Sequence, residues 1–176
     1  MVKTNYLKRH NIGHLDVQSG LIDITDPGYD NDIWCALHNV KVKPGNYIAC
    51  SYYDDDLGGW GRRVGILQIV HEDAYYKIDV GDNGNWKEIG SCAVDAGLMS
   101  ICESPKPNFT DKEWFHYCDL VNGPIKSLGT IKTIKKVPII SCTSGIGDGC
   151  YPVFAIEQDD DIVAVEVRFT NHPWLG

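Results

Sequence analysis

Turn-forming residues interrupt this chain about every ten residues, and that spacing argues for a series of short strands. Pro27-Gly28, Pro44-Gly45, Gly58-Gly59, Asn83-Gly84 and Asn122-Gly123-Pro124 separate runs that are mostly apolar and β-branched or aromatic. Strands are expected at residues 21–24, 46–53, 64–71, 75–80, 86–92, 137–142, 153–157 and 162–169. Continuous apolarity in 64–71 suggests cover on both faces, and Asn83-Gly84 signals a tight hairpin. In the last strand Val163, Val165 and Val167 alternate with Ala164, Glu166 and Arg168, the pattern of a half-buried strand. Residues 126–136 read as a further, basic strand with Ile131 and Ile134 inward. One helix stands out at residues 111–121, where Thr110 and Glu113 form a capping box and Trp114, Tyr117, Cys118 and Val121 recur at helical spacing. A shorter helical segment is expected at residues 30–38. The fold expected is mainly β: a single-domain antiparallel sandwich or partly open barrel over residues 1–176, one helix packed on it, residues 1–18 forming an N-terminal arm.

Charge and cysteines narrow the function classes. A net charge of −8 argues against a nucleic-acid polymer as partner, since Lys and Arg gather only weakly around residues 126–136. The seven cysteines are odd in number, none forms a C-x-x-C pair, and most lie in apolar runs. With no apolar signal-peptide core in the first residues, a reducing cytoplasmic setting is expected. No run approaches the roughly 18–20 apolar residues of a membrane helix. A homo-oligomer is compatible with this composition.

The strongest candidate for a site is Ser144-Gly145-Ile146-Gly147-Asp148-Gly149-Cys150-Tyr151, which sets three glycines within five residues between two β-type runs. Such a loop can bring bare backbone N–H groups against an anion, with Asp148 orienting a hydroxyl; it can also be a wide hairpin connection. It lacks the Gly-Lys-Ser/Thr ending of a P-loop, and a strand rather than a helix follows it. The triplets 54–56 and 159–161 are rich in Asp without the alternating spacing of a calcium loop, so they read as solvated hairpin tips. The six histidines are dispersed. His10 and His14, four apart, lack the Glu of a zincin motif, and the cluster His71-Glu72-Asp73 follows a strand end where charged residues are routine. Cys150 is the one cysteine placed to react, with no histidine near it in sequence. The aromatics Tyr52, Tyr53, Trp60, Tyr75 and Tyr76 around the hairpins can form core or stack on a nucleobase.

Several of these pieces resemble a family of small bacterial and phage proteins close to domain of unknown function 4241. They are the run from Ser19-Gly20-Leu21 to Asp26-Pro27-Gly28-Tyr29, Trp60-Gly61 with Arg63, Val94-Asp95-Ala96-Gly97, Gly145-Ile146-Gly147-Asp148-Gly149-Cys150-Tyr151-Pro152, and the terminal strand 163–169. Relatives usually carry Cys where this chain has Gly28. The resemblance implies a protein of the bacterial host cytoplasm with no established chemistry. It also implies that Asp95, Gly97, Asp148 and Tyr151 form one unit. The function expected is non-enzymatic capture of a small polar, nucleotide-like ligand, without cofactor or metal, such as a phage protein sequestering a host immune signal. The residues assigned to the ligand are Trp60, Arg63, Asp95, Gly97, Ser144, Gly145, Gly147, Asp148, Gly149 and Tyr151. Two alternatives stay open: a hydrolase using Asp95 or Asp148 with a histidine from another strand, and an immunity- or inhibitor-type module whose acidic face meets a basic protein.

Overall fold

A computed structural model describes residues 7–29, 35–78 and 85–170. Its strands are β1 (Lys8–Val17), β2 (Leu21–Thr25), β3 (Leu37–Lys41), β4 (Gly45–Asp54), β5 (Arg63–His71), β6 (Lys87–Val94), β7 (Leu98–Glu103), β8 (Thr130–Ile134), β9 (Val137–Thr143), β10 (Gly149–Gln158) and β11 (Asp161–Arg168). They form two antiparallel sheets, ordered β1-β4-β5-β11-β10-β6 and β3-β2-β7-β9-β8, with one helix, α1 (Asp111–Val121). Neither sheet closes on itself, so the architecture is the sandwich and not the barrel. Leu15, Tyr47, Leu67, Ile69, Val153, Val165 and Val167 of the first sheet meet Ile22, Ile24, Met99, Ile101 and Ile140 of the second in one core. No helix among the described residues is long and apolar enough to cross a membrane.

α1 is built as its sequence dictates. Thr110 accepts the Glu113 N–H while the Glu113 carboxylate accepts the Thr110 N–H, two otherwise orphaned donors satisfied reciprocally. Its inward face lays Tyr117 and Val121 over Cys102 and Ile139 on the outside of the five-stranded sheet. The Tyr117 hydroxyl finds Ser141 Oγ at 2.5 Å, so the phenol is buried with its polar end satisfied.

Four expectations need correction. The arm is a strand: β1 pairs along β4 from Lys8↔Tyr53 to Val17↔Gly45, and only Leu15 and Val17 are buried on it, which is why its polar run hid it. Of the helical segment 30–38, residues 30–34 lie outside the described residues, while Leu37 and His38 open β3. There Asn39 takes φ 55° and its N–H is held by Asp23 Oδ1 at 2.9 Å, at a register shift in β2. Residues 75–77 form a 3₁₀ turn rather than a strand, and the Asn83-Gly84 hairpin lies outside the described residues. Of the basic stretch, Lys126–Leu128 is also a 3₁₀ turn before β8, and Ile131 and Ile134, three apart on a strand, face the central core and the helix respectively.

The last strand is also more deeply covered than its alternation implied. Ala164 and Glu166 are fully buried, Ala164 in a cluster with Ala74 and Trp86 on the outer side of the sheet. Glu166 survives there by accepting hydrogen bonds from Gln68 Nε2 at 3.1 Å and Arg168 Nε at 2.5 Å. Burial still pushes its carboxyl pKa up.

Candidate functional site

The glycine loop joins β9 to β10 at one end of the sandwich and is braced from within. Ser144 N–H donates to the Gly97 carbonyl at 3.1 Å, and Gly147 N–H to the Ser144 carbonyl at 3.3 Å. Ser144 Oγ and the Tyr151 hydroxyl both donate to the Gly147 carbonyl, at 2.6 and 2.5 Å. Tyr151 is buried, its ring edge-on to Phe169 with centroids 5.0 Å apart, and burial raises its phenol pKa. Gly145 has φ 64° and lies so close to β5 that a Cβ would strike the Val64 carbonyl. Two of the amides expected to meet an anion are therefore already bonded, one to Gly97 and one within the loop.

A second support comes from Asp26, which the sequence offered as part of a turn and of the resembling run but not as a site residue. Its side chain is completely buried and accepts three backbone N–H groups, from Gly28 at 2.8 Å, Asp95 at 2.9 Å and Ala96 at 2.7 Å. Burial raises its pKa, and the three donors pull the other way. Asp26 thus fixes the turn carrying Gly97, and Gly97 fixes Ser144. This chain of contacts ties together distant parts of the motif pattern.

Against the loop stands the tip of the β4–β5 hairpin. Asp54 Oδ1 accepts the Asp56 N–H and Asp56 Oδ1 accepts the Gly61 N–H, a turn geometry that projects Trp60 outward. Asp55 pairs with Lys8 and with Arg62 Nε, so each carboxylate of this triplet has a bonding role in the tip. Trp60 is 65% exposed. Arg63 has no carboxylate partner among the described residues; its guanidinium donates to the Arg62 carbonyl at 3.3 Å.

Between tip and loop lie two adjoining depressions. One, of about 240 Å³, is lined by Trp60, Arg63, Gly97 and the loop residues Ser144, Gly145 and Gly147, with Ile146 at its rim. The other, of about 440 Å³, shares Arg63, Thr143 and Gly145 and adds Asp55, Arg62 and Ser127. Six of the ten residues assigned to a ligand from sequence thus come together. The Asp95, Asp148 and Gly149 positions are exposed and line neither depression, and Tyr151 acts from beneath as a brace. Sequence reasoning did not assign Arg62, Thr143, Asp55 or Ser127, nor Ile146 within the loop it named; Arg62 adjoins Arg63 and Thr143 ends β9 just before the loop, so adjacency was the available signal for those two.

The arrangement can hold a flat ring on the indole and an anionic group at the guanidinium. A third cluster, Ser104, Asp23 and His38, resembles a nucleophile set by composition alone. Ser104 Oγ donates to Asp23 Oδ1 at 2.5 Å, while His38 Nδ1 lies 3.5 Å from Asp23 Oδ2, so the carboxylate rather than the imidazole receives the hydroxyl proton. The cluster instead braces β2, β3 and the turn after β7. No family model matches this chain, nor does any curated protein or solved structure.

Proposed function

We propose that the protein is a non-enzymatic binder of a small, anionic, ring-bearing molecule of the nucleotide class. The observation that carries this reading is Trp60, two-thirds exposed, lining with Arg63 an open depression to which three glycines also contribute. An indole held in solvent exposes apolar area that a stacked base would cover, and base stacking contributes about 1–3 kcal/mol. Arg63 supplies a planar donor fork matched to phosphate. With Arg62 held by Asp55, the cationic character that lets an anion approach despite the negative net charge comes from Arg63. In the bacterial or phage cytoplasm implied by the resemblance to domain of unknown function 4241, such a binder would sequester a nucleotide-derived immune signal without cleaving it.

Thermal-shift screening against mono-, di- and cyclic nucleotides, with native mass spectrometry of the protein, tests this. A ligand at about a hundred times its dissociation constant adds ~2.7 kcal/mol to stability, a readily measured rise in Tm. Trp60→Ala is expected to weaken binding by about 5- to 150-fold, the equivalent of one lost stacking contact. Recovery of a cleaved ligand would replace this reading with the hydrolase, and no shift across the panel would remove it.

A further inference from the structure

We propose that Cys35 and Cys150 form a reversible dithiol–disulfide site, oxidised by low-molecular-weight disulfides of the glutathione class. The two Sγ atoms lie 3.3 Å apart although the residues are separated by 115 positions. A disulfide places sulfurs about 2 Å apart, so the two sulfurs have little more than 1 Å left to close. Their backbones are anchored on β6: Ala93 N–H donates to the Cys35 carbonyl at 2.7 Å, and Cys150 is the register partner of Ala93. Cys35 Sγ also lies 3.4 Å from the Ser91 carbonyl, which aims the thiol along this edge.

Access separates this pair from four of the other cysteines. Cys150 is exposed and Cys35 half-buried, whereas Cys50, Cys92, Cys102 and Cys142 are buried. Cys92, nearest in sequence to the β6 anchor, donates its thiol to the Ile24 carbonyl at 3.0 Å, and burial pushes its pKa up to about 12. It remains a thiol while its neighbours react. Cys118 lies apart on α1.

The reaction balances as two exchanges. The Cys150 thiolate attacks one sulfur of the small disulfide, that S–S bond breaks, and one small thiolate leaves. The Cys35 thiolate then attacks Cys150 Sγ and expels the second. Two electrons pass from the protein to the small disulfide, and the two thiol protons end on the two released small thiols. Burial raises the Cys35 pKa, so the closing step accelerates as pH rises and the Cys35 thiolate fraction grows.

The test incubates the native, reduced protein with oxidised glutathione, quenches with acid and counts thiols after denaturation. The count is expected to fall from seven to five, with one cross-linked peptide pair containing Cys35 and Cys150. Cys35→Ser is expected to halt at a glutathione adduct on Cys150, and Cys118→Ser still to lose two thiols, with near-native circular dichroism in both. A wild-type protein that halts at the Cys150 adduct, keeps all seven thiols or links a different pair overturns the proposal.

Discussion

Gly145 and Gly147 stand two positions apart in one loop, yet substitution at each should read differently. Both have positive φ, 64° and 106°, so a side chain is strained at either. At Gly145 the added Cβ also meets the Val64 carbonyl, backbone that cannot swing away, whereas at Gly147 it meets open space. Gly145→Ala is expected to destabilise by about 2–4 kcal/mol and Gly147→Ala by only about 1 kcal/mol, measured by urea unfolding. Asp23 supports a second residue-scale prediction. Burial alone would raise its pKa, but the Ser104 hydroxyl and the Asn39 and Lys106 amides overcome that and hold it below the ordinary value. A folded pKa below the unfolded one means stability complete above about pH 4 and lost as pH falls through the depressed value. Unfolding midpoints should therefore drop in acid for the native protein and drop less for Asp23→Asn, which starts from lower stability at pH 7.

At the scale of elements, legibility followed how local the cause was. α1 was readable with its bounds because the capping box and the helical spacing of Trp114, Tyr117 and Val121 lie within twelve consecutive residues, Thr110 to Val121. β1 was not, because what makes Lys8–Val17 a strand is the backbone of β4, far along the chain. β3 hid for a similar reason: its bend depends on Asn39 in the left-handed region, held by the Asp23 carboxylate. Turns give the converse case. The β8–β9 hairpin pairs Ile134 with Val137 and forces Lys135 and Lys136 to φ 48° and 70°, values suited to Asn-Gly. Replacing Lys135-Lys136 with Asn-Gly is expected to add about 0.5–1 kcal/mol, seen as a higher urea midpoint with unchanged slope.

Across the whole molecule, the sandwich positions two distant turns against each other at one end. The motif order in sequence marked the loop, Gly97, Trp60 and Arg63, and the structure brings these four together around one depression. What the sequence could not convey was which loop groups were already engaged. Ser144 and Tyr151 carry polar groups that suit a ligand, but both turn inward to the Gly147 carbonyl. Asp148 and Asp95 are exposed and line neither depression. On the proposed reading, that division leaves recognition to the hairpin tip rather than to the loop side chains. The most direct test is isothermal titration of the nucleotide that most stabilises the protein against three forms: native, Arg63→Ala and Asp148→Ala. Arg63→Ala should weaken binding by about 10- to 100-fold, the worth of a charge-assisted contact, while Asp148→Ala stays close to native. Equal binding by native and Arg63→Ala protein, or loss of binding on Asp148→Ala alone, would contradict the placement of the site between Trp60, Arg63 and the loop backbone.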